Sequence, residues 1–297
     1  MISVFGHLNP DSDSICSTIV VTDWLNFLNK NAVAYRLGEI NPETQFLLTE
    51  ANQQPPALLT HSIEGQDVWL VDFSELEQGP AGLDKSNVIG LIDHHRLGSL
   101  VTAEPLDAWI RKVGCCGTLV FDILSKQSGY TLSSSHAILL LGAILSDTVG
   151  FQSPTTTEQD RLAAEALTTI SGVNLADFTL KLLTAKTDIS GLTIERLLQK
   201  DEKNYTIGSN KVILAQIEVS NFAAVEDKIT QLKAEMEKRV ITDALDFYVL
   251  MVTSLSTSQS QIYFSDHNPV SKVTLTMDNM ISRKKQLLPW LTQALGQ

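Results

Sequence analysis

Val88-Ile89-Gly90-Leu91-Ile92-Asp93-His94-His95 is an apolar run that ends abruptly in a carboxylate and two imidazoles. A short continuous apolar run is the pattern of a strand buried on both faces, as in a parallel sheet. The same pattern occurs twice more. Val4-Phe5 runs into Gly6-His7-Leu8-Asn9-Pro10-Asp11-Ser12-Asp13, and Val68-Trp69-Leu70-Val71 runs into Asp72. In an open α/β sheet, side chains just past the strand ends converge in one crevice. Carboxylates crowded there repel one another unless a cation lies between them. Mixed oxygen and nitrogen ligands suit first-row divalent metals such as Mn2+, Fe2+, Co2+ or Zn2+. The chain therefore reads first as a metal-dependent enzyme.

Outward from these segments, strands and helices alternate as far as about Gly150. Strands are expected at 2–5, 32–37, 68–71 and 88–92. Helices are expected at 14–28, 42–51, 117–128 and 134–145, with Ser133-Ser134-Ser135 as cap candidates for the last. Alternation of this kind implies an α/β fold with a largely parallel, doubly wound sheet. Helical patterns continue over 157–170 and 175–183. The polar, turn-forming stretch from Thr184 to Gly191 then marks a boundary. The expected organisation is a first domain over 1–185, a linker over 186–191 and a second domain over 192–297. In the second, a short helix (192–199) precedes strands at 204–207, 211–219, 247–255, 261–264 and 272–276. One long amphipathic helix (222–240) lies among them, and an apolar helix (287–295) closes the chain. Strands bunched around few helices suggest a smaller mixed α+β domain.

Composition narrows the function. The chain has 297 residues, 43% hydrophobic and 19% charged, which suits a packed core and argues against wholesale disorder. A net charge of -12 argues against a general nucleic-acid or anionic-membrane surface. It leaves room for an anionic substrate, because bound metal and a few local cations reverse the field inside one cleft. Cys16, Cys115 and Cys116 form no disulfide framework, so a reducing cytoplasm is the expected compartment. The N-terminus has no basic run and enters a strand pattern at once, so no signal peptide is expected. The longest apolar stretch, Ala137 to Leu145, is too short to span a bilayer.

Several segments each admit a plain reading beside the chemical one. His7 to Asp13 would serve as a capping turn, with Asp11 and Asp13 favourable near a helix start even without metal. Asp93-His94-His95 alone would pass for a surface loop, but its place after a buried-type strand adds weight. Ser146-Asp147 closes a very apolar helix at the end where the helix dipole disfavours an acid, so Asp147 needs a partner. Ser282-Arg283-Lys284-Lys285 would be a solvated patch in most chains. In a chain this acidic it is conspicuous, with Arg283 offering a fork for phosphate oxygens and Lys284 a point charge. His61, His136 and His267 stand outside any cluster. Cys115 and Cys116 read as packing residues, although a helix start can lower a thiol pKa.

Taken together these segments resemble the manganese-dependent, family II inorganic pyrophosphatases of the DHH phosphoesterase superfamily. The resemblance covers nearly the whole chain. It rests on Gly6 to Ser17, Val71-Asp72, Ile92 to Arg96, Thr102-Ala103-Glu104-Pro105, Val113-Gly114-Cys115, Ser146-Asp147, Ser153-Pro154-Thr155 and Ser282 to Gln286. Separated motifs in the right order are far more specific than any one of them.

The resemblance implies an N-terminal DHH domain and a C-terminal substrate-binding domain joined by a flexible linker. It implies His7, Asp11 and Asp72 as ligands of one Mn2+, and Asp13, Asp72, His94 and Asp147 as ligands of a second, with Asp72 bridging. Co2+ or Mg2+ could replace Mn2+, and Mg2+ would accompany the substrate, pyrophosphate. His95 would face the substrate, and Lys203, Arg283 and Lys284 would bind its phosphates. A homodimer through the N-terminal domain is also implied. One departure stands out. The family usually reads Asp-His-Asn-Glu where this chain reads Asp72-Phe73-Ser74-Glu75, and Phe73 can neither ligate metal nor carry a proton. The rivals are a short-chain exopolyphosphatase, which typically has Asn at the position of His7, another DHH phosphoesterase, and a weakly catalytic phosphate-sensing protein. Nucleotide-cleaving relatives carry a Gly-Gly-Gly-His type segment that this chain lacks.

Overall fold

The computed structural model describes residues 1–296, which divide into two compact units, the first Met1–Lys186 and the second from Thr187 onward. The first unit runs β1 (Ile2–Phe5), α1 (Ser12–Phe27), β2 (Ala32–Arg36), α2 (Pro42–Glu50), β3 (Ala57–Leu58), β4 (Asp67–Val71), β5 (Asn87–Asp93) and β6 (Asp107–Ile110). Four helices follow: α3 (Cys116–Ser125), α4 (Ser134–Asp147), α5 (Glu158–Ser171) and α6 (Leu175–Lys186). The second unit contains α7 (Ile194–Gln199), β7 (Glu202–Ile207), β8 (Asn210–Val219), α8 (Ile229–Thr242), β9 (Phe247–Ser254), β10 (Gln259–Phe264), β11 (Leu275–Asp278) and α9 (Leu288–Ala294).

The six strands of the first unit pair in the order β3-β2-β1-β4-β5-β6, and every pairing is parallel. Strand order reverses between β1 and β4. In such sheets the crevice beyond the carboxyl ends at this reversal is where ligands bind. Alternate residues feed two cores. Val4, Trp69, Val71 and Ile92 pack with the α-helices, among which α4 is buried along most of its length. Phe5, Val68, Leu70 and Leu91 pack under Ile63, Phe73 and Leu83. That second face is covered by irregular crossovers with short 3-10 turns at Leu76–Gln78 and Leu83–Lys85, not by full helices. Gly90 is required here: a Cβ would come within 2.3 Å of the Trp69 ring, its partner across β4 and β5.

The second unit is a five-stranded sheet, β11-β10-β9-β8-β7, in which only β8 and β9 run parallel. α7 and α8 cover one face and α9 the other. The long helix expected over 222–240 is shorter. Asn221 caps a 3-10 turn at Phe222–Ala224 by accepting the Ala223 N–H at 3.1 Å, a second turn spans Glu226–Lys228, and α8 starts only at Ile229. Val225, buried between the two turns, has a φ of -122° that interrupts the helical run. The last strand is also displaced from the expected 272–276 to Leu275–Asp278. The Asn268 side chain accepts the backbone N–H groups of Val270 and Ser271, holding the preceding residues as a loop.

Candidate metal centre

Each sequence-expected ligand of the first unit is set by the end of an element. His7 follows β1 through Gly6, where a Cβ would sit 1.8 Å from Ser14 Oγ, so only glycine lets the strand exit pass over the start of α1. Asp11 caps α1, its Oδ1 accepting the Ser14 N–H at 2.9 Å. Asp13, in the first turn of α1, is fully buried. Its oxygens accept the Cys116 N–H at 2.5 Å, the Gly117 N–H at 3.0 Å and the Ser17 hydroxyl at 2.7 Å. The start of α3 therefore supplies backbone donors to a carboxylate of α1. Asp72 leaves β4 with φ of 70°, a left-handed conformation that is strained for most side chains but tolerated by Asp and Asn. Its N–H donates to Ile92 O at 2.8 Å, which holds it beside the end of β5. Asp147 is the last residue of α4.

These residues meet. Asp72 Oδ2 lies 3.4 Å from His7 Nε2, which lies 3.7 Å from Asp11 Oδ2. Asp72 Oδ1 lies 3.3 Å from His94 Nε2, which lies 3.7 Å from Asp147 Oδ2 and 4.0 Å from Asp13 Oδ2. Asp72 thus turns one oxygen to each imidazole. Both imidazoles have their other nitrogen against a backbone carbonyl: His7 Nδ1 is 2.8 Å from Leu8 O and His94 Nδ1 is 3.1 Å from Val113 O. A carbonyl only accepts, so each Nδ1 carries the proton and each Nε2 turns its lone pair toward carboxylates. Lone pairs facing anions need a proton or a cation between them. Metal–ligand bonds of roughly 2.0–2.2 Å put donors sharing one ion roughly 3–3.5 Å apart. The two spacings to Asp72, 3.4 and 3.3 Å, are of that size, the other three at 3.7–4.0 Å are somewhat wider, and the mixed imidazole and carboxylate donor set fits divalent ions.

The electrostatics carry the same demand. Burial opposes a charged His7, yet Asp11 and Asp72 push its pKa up to about 11. Burial likewise opposes a charged His94, and Asp72 and Asp13 raise its pKa to about 9. Burial first, then Asp72, raises Asp13 to about 6. Burial and the Asp13 charge push Asp147 well above the usual carboxylate range. With protein charges alone, the cluster holds protons near neutral pH that a dication would displace. Mn2+ uptake should therefore release protons and weaken as pH falls. Titration in weak buffer followed by a pH indicator checks this, and uptake without proton release would contradict it.

His95 differs from its neighbour. Its side chain is 54% exposed, and Nδ1 faces Asp93 Oδ1 at 2.9 Å. The same Asp93 oxygen accepts the His95 N–H at 3.0 Å, fixing the ring from below. The Asp93 contact comes first in raising the His95 pKa. Asp93 and His95 were both visible in the sequence motif, but the contact between them was not. The thiols of Cys115 and Cys116 are buried, and burial followed by the Asp13 charge pushes both well above their usual range. The helix start gives its Cys116 and Gly117 N–H groups to Asp13, and the Gly117 N–H, which also reaches Cys115 Sγ at 3.2 Å, does not offset that burial.

Phe73 points away from this chemistry. It is 2% exposed in the second core, with its ring 6.4 Å from that of Phe5. Phe73→His should leave the Mn2+ titration curve unchanged while lowering stability by about 1–3 kcal/mol, the cost of burying an unpaired polar group. Denaturant unfolding together with Mn2+ titration checks both halves, and a shifted Mn2+ midpoint would overturn the packing role.

The basic residues belong to the second unit. Arg283 is largely buried, and Asp201 grips its guanidinium twice, Nη2 to Oδ1 at 2.7 Å and Nε to Oδ2 at 3.3 Å. Nη1 reaches Leu214 O at 3.4 Å and the Tyr205 hydroxyl at 3.5 Å. Lys203 pairs across the sheet with Leu214, so it shares the face on which Arg283 lies. Lys203 and Lys284 are exposed. The sequence offered no sign of the Asp201–Arg283 pair, whose members are 82 residues apart.

Comparison with known proteins bears on this geometry. The DHH family, N-terminal domain, matches residues 1–144, and the DHHA2 domain matches residues 180–294. A manganese-dependent inorganic pyrophosphatase of Bacillus subtilis is 37% identical over 308 aligned positions, covering 100% of this chain and 99% of that protein. The chain belongs to the manganese-dependent, family II inorganic pyrophosphatases. A crystal structure of a Methanococcus jannaschii protein assigned to family II inorganic pyrophosphatase superposes with a TM-score of 0.75 at 33% identity, covering both chains completely. An exopolyphosphatase-related protein of Bacteroides fragilis shares the fold, with a TM-score of 0.56 at 13% identity, over 99% of this chain and 91% of its own. Among the described residues of this family II pyrophosphatase, no helix is long and apolar enough to cross a membrane.

Proposed function

We propose that this chain hydrolyses inorganic pyrophosphate to two orthophosphates with Mn2+ at the cluster beyond β1, β4 and β5. The observation that carries this reading is Asp72, which presents one oxygen to the His7–Asp11 side and the other to the His94–Asp147 side. His7, Asp11 and Asp72 would hold one ion, and Asp13, Asp72, His94 and Asp147 the second. Co2+ or Mg2+ could stand in for Mn2+, with Mg2+ also carried by the substrate. When bound, the ions would polarise a phosphoryl group and lower the pKa of a water toward neutrality.

The chain's own residues do the rest. His95, its Nδ1 turned to Asp93, would present its other nitrogen to a phosphate or leaving oxygen as a donor. Lys203, Arg283 and Lys284 would offset charge on the phosphates. Ligands and cations lie in different units of the chain, so substitutions should separate metal binding from substrate binding. A cytoplasmic homodimer formed through the first unit, with no nucleic-acid or membrane partner, completes the reading. Phosphate release from pyrophosphate, tripolyphosphate and a dinucleotide, with and without Mn2+, tests it. Preference for tripolyphosphate would instead favour the exopolyphosphatase alternative.

A further inference from the structure

Glu43 is a buried carboxylate on α2 that belongs to none of the groups of clustered potential metal ligands among the described residues. Its Oε1 accepts the Ser12 hydroxyl at 2.6 Å and also the Ser146 hydroxyl. Its Oε2 lies 3.3 Å from Lys186 Nζ, which donates to Ser146 O at 3.3 Å and to Ser146 Oγ at 3.2 Å. Ser12 sits between Asp11 and Asp13, and Ser146 immediately precedes Asp147. Both serines are buried, and Ser12 is backed by Thr44 Oγ1 at 2.9 Å. One carboxylate oxygen therefore ties the start of α1 to the end of α4, segments that meet only through the fold.

We infer that Glu43 is a positioning residue for the metal centre, setting the spacing of Asp13 and Asp147 through Ser12 and Ser146. The inference rests on the ligand assignment proposed above. Burying a carboxylate is unfavourable unless charged or hydrogen-bonded partners compensate it, and an apolar residue would fill the same space without that demand. What an apolar residue cannot do is fix two hydroxyls to one point. Asp13 and Asp147 stand at the outer edge of reach of one ion, 4.0 and 3.7 Å from His94 Nε2. A loss of register between α1 and α4 would widen that gap directly. Lys186 supplies the countercharge from the last residue of the first unit, so the start of the connection to the second unit is fastened to the Asp147 segment.

The test is Mn2+ binding measured directly, by equilibrium dialysis, on Glu43→Ala, Glu43→Gln and the double variant Ser12→Ala/Ser146→Ala. Asp13→Asn and Asp147→Asn serve as controls. Support for a metal ligand from outside the ligand set is typically worth about 10- to 100-fold in metal affinity. Glu43→Ala should weaken one of the two Mn2+ sites by that factor. Glu43→Gln, which keeps an acceptor oxygen for both serines, should recover most of the loss. KM for pyrophosphate at saturating Mn2+ should stay unchanged in both. If Glu43→Ala does not fold, the serine pair carries the test, since it removes only hydroxyls. Wild-type Mn2+ affinity in a folded Glu43→Ala or in the serine pair overturns the inference. If the Asp13→Asn and Asp147→Asn controls also bind Mn2+ normally, the ligand assignment itself is what fails.

Discussion

Asp72→Asn is expected to lower pyrophosphate hydrolysis by on the order of 10³ or more at saturating Mn2+, with the fold intact. The magnitude follows from charge. A unit charge about 4 Å from another at an effective dielectric near 20 is worth about 4 kcal/mol, and each 1.36 kcal/mol is about tenfold. Asp72 would serve two dications at once, so this is a lower bound. The fold should survive for two reasons. Asn tolerates the positive φ of 70° at this position. The backbone bond from Asp72 N–H to Ile92 O does not involve the side chain. Phosphate release, metal content and circular dichroism together decide it. Near-wild-type turnover would sink the two-metal assignment, and loss of the dichroism signal would move the effect from chemistry to folding.

The central part of the site was legible in the sequence because parallel strands are buried on both faces. Val4-Phe5, Val68 to Val71 and Val88 to Ile92 each read as a continuous apolar run, and the polar residues that end each run lie at the strand's last residue or within two residues of it. His7, Asp72 and His94 are thus written next to their own strands. Elements without that burial left no such trace. β6 is an edge strand whose residues are exposed or half-buried, and β3 has only two residues. The supporting polar contacts were illegible for another reason. Ser146 meets Glu43 across 103 positions, and Gly114 meets Asp160 across 46. Such pairs have no local spacing to betray them, and only the folded chain brings them together. The helix break at Val225 was missed because the helical period runs on through 222–240, while the interruption lies in the Asn221 cap and the backbone of one residue, which leave the period unchanged.

Substitution of the basic cluster should divide its members. Lys203 and Lys284 have exposed side chains, unlike Arg283. Lys284→Ala and Lys203→Ala should each reduce kcat/KM for pyrophosphate by roughly 10- to 150-fold, the worth of about 1.5–3 kcal/mol for one charged hydrogen bond. Mn2+ content and melting temperature should not move. Arg283→Ala should behave differently. Its side chain is only 10% exposed, while Asp201 is 47% exposed and hydrated in part. Removing the guanidinium strips Leu214 O and the Tyr205 hydroxyl of a donor and leaves Asp201 to water. That should cost about 1–3 kcal/mol of stability, below the value for a fully buried pair because Asp201 reaches solvent. Activity and unfolding midpoint should therefore fall together in Arg283→Ala and only activity in the lysine variants. Arg283→Lys separates the two contributions, since it keeps the charge for phosphate and loses the two-pronged grip of Asp201. Full activity in both lysine variants would reduce the cluster to a surface patch and leave Arg283 as a strut of the sheet. Loss of Mn2+ in any of the three would mean that the two units do not divide metal and substrate between them.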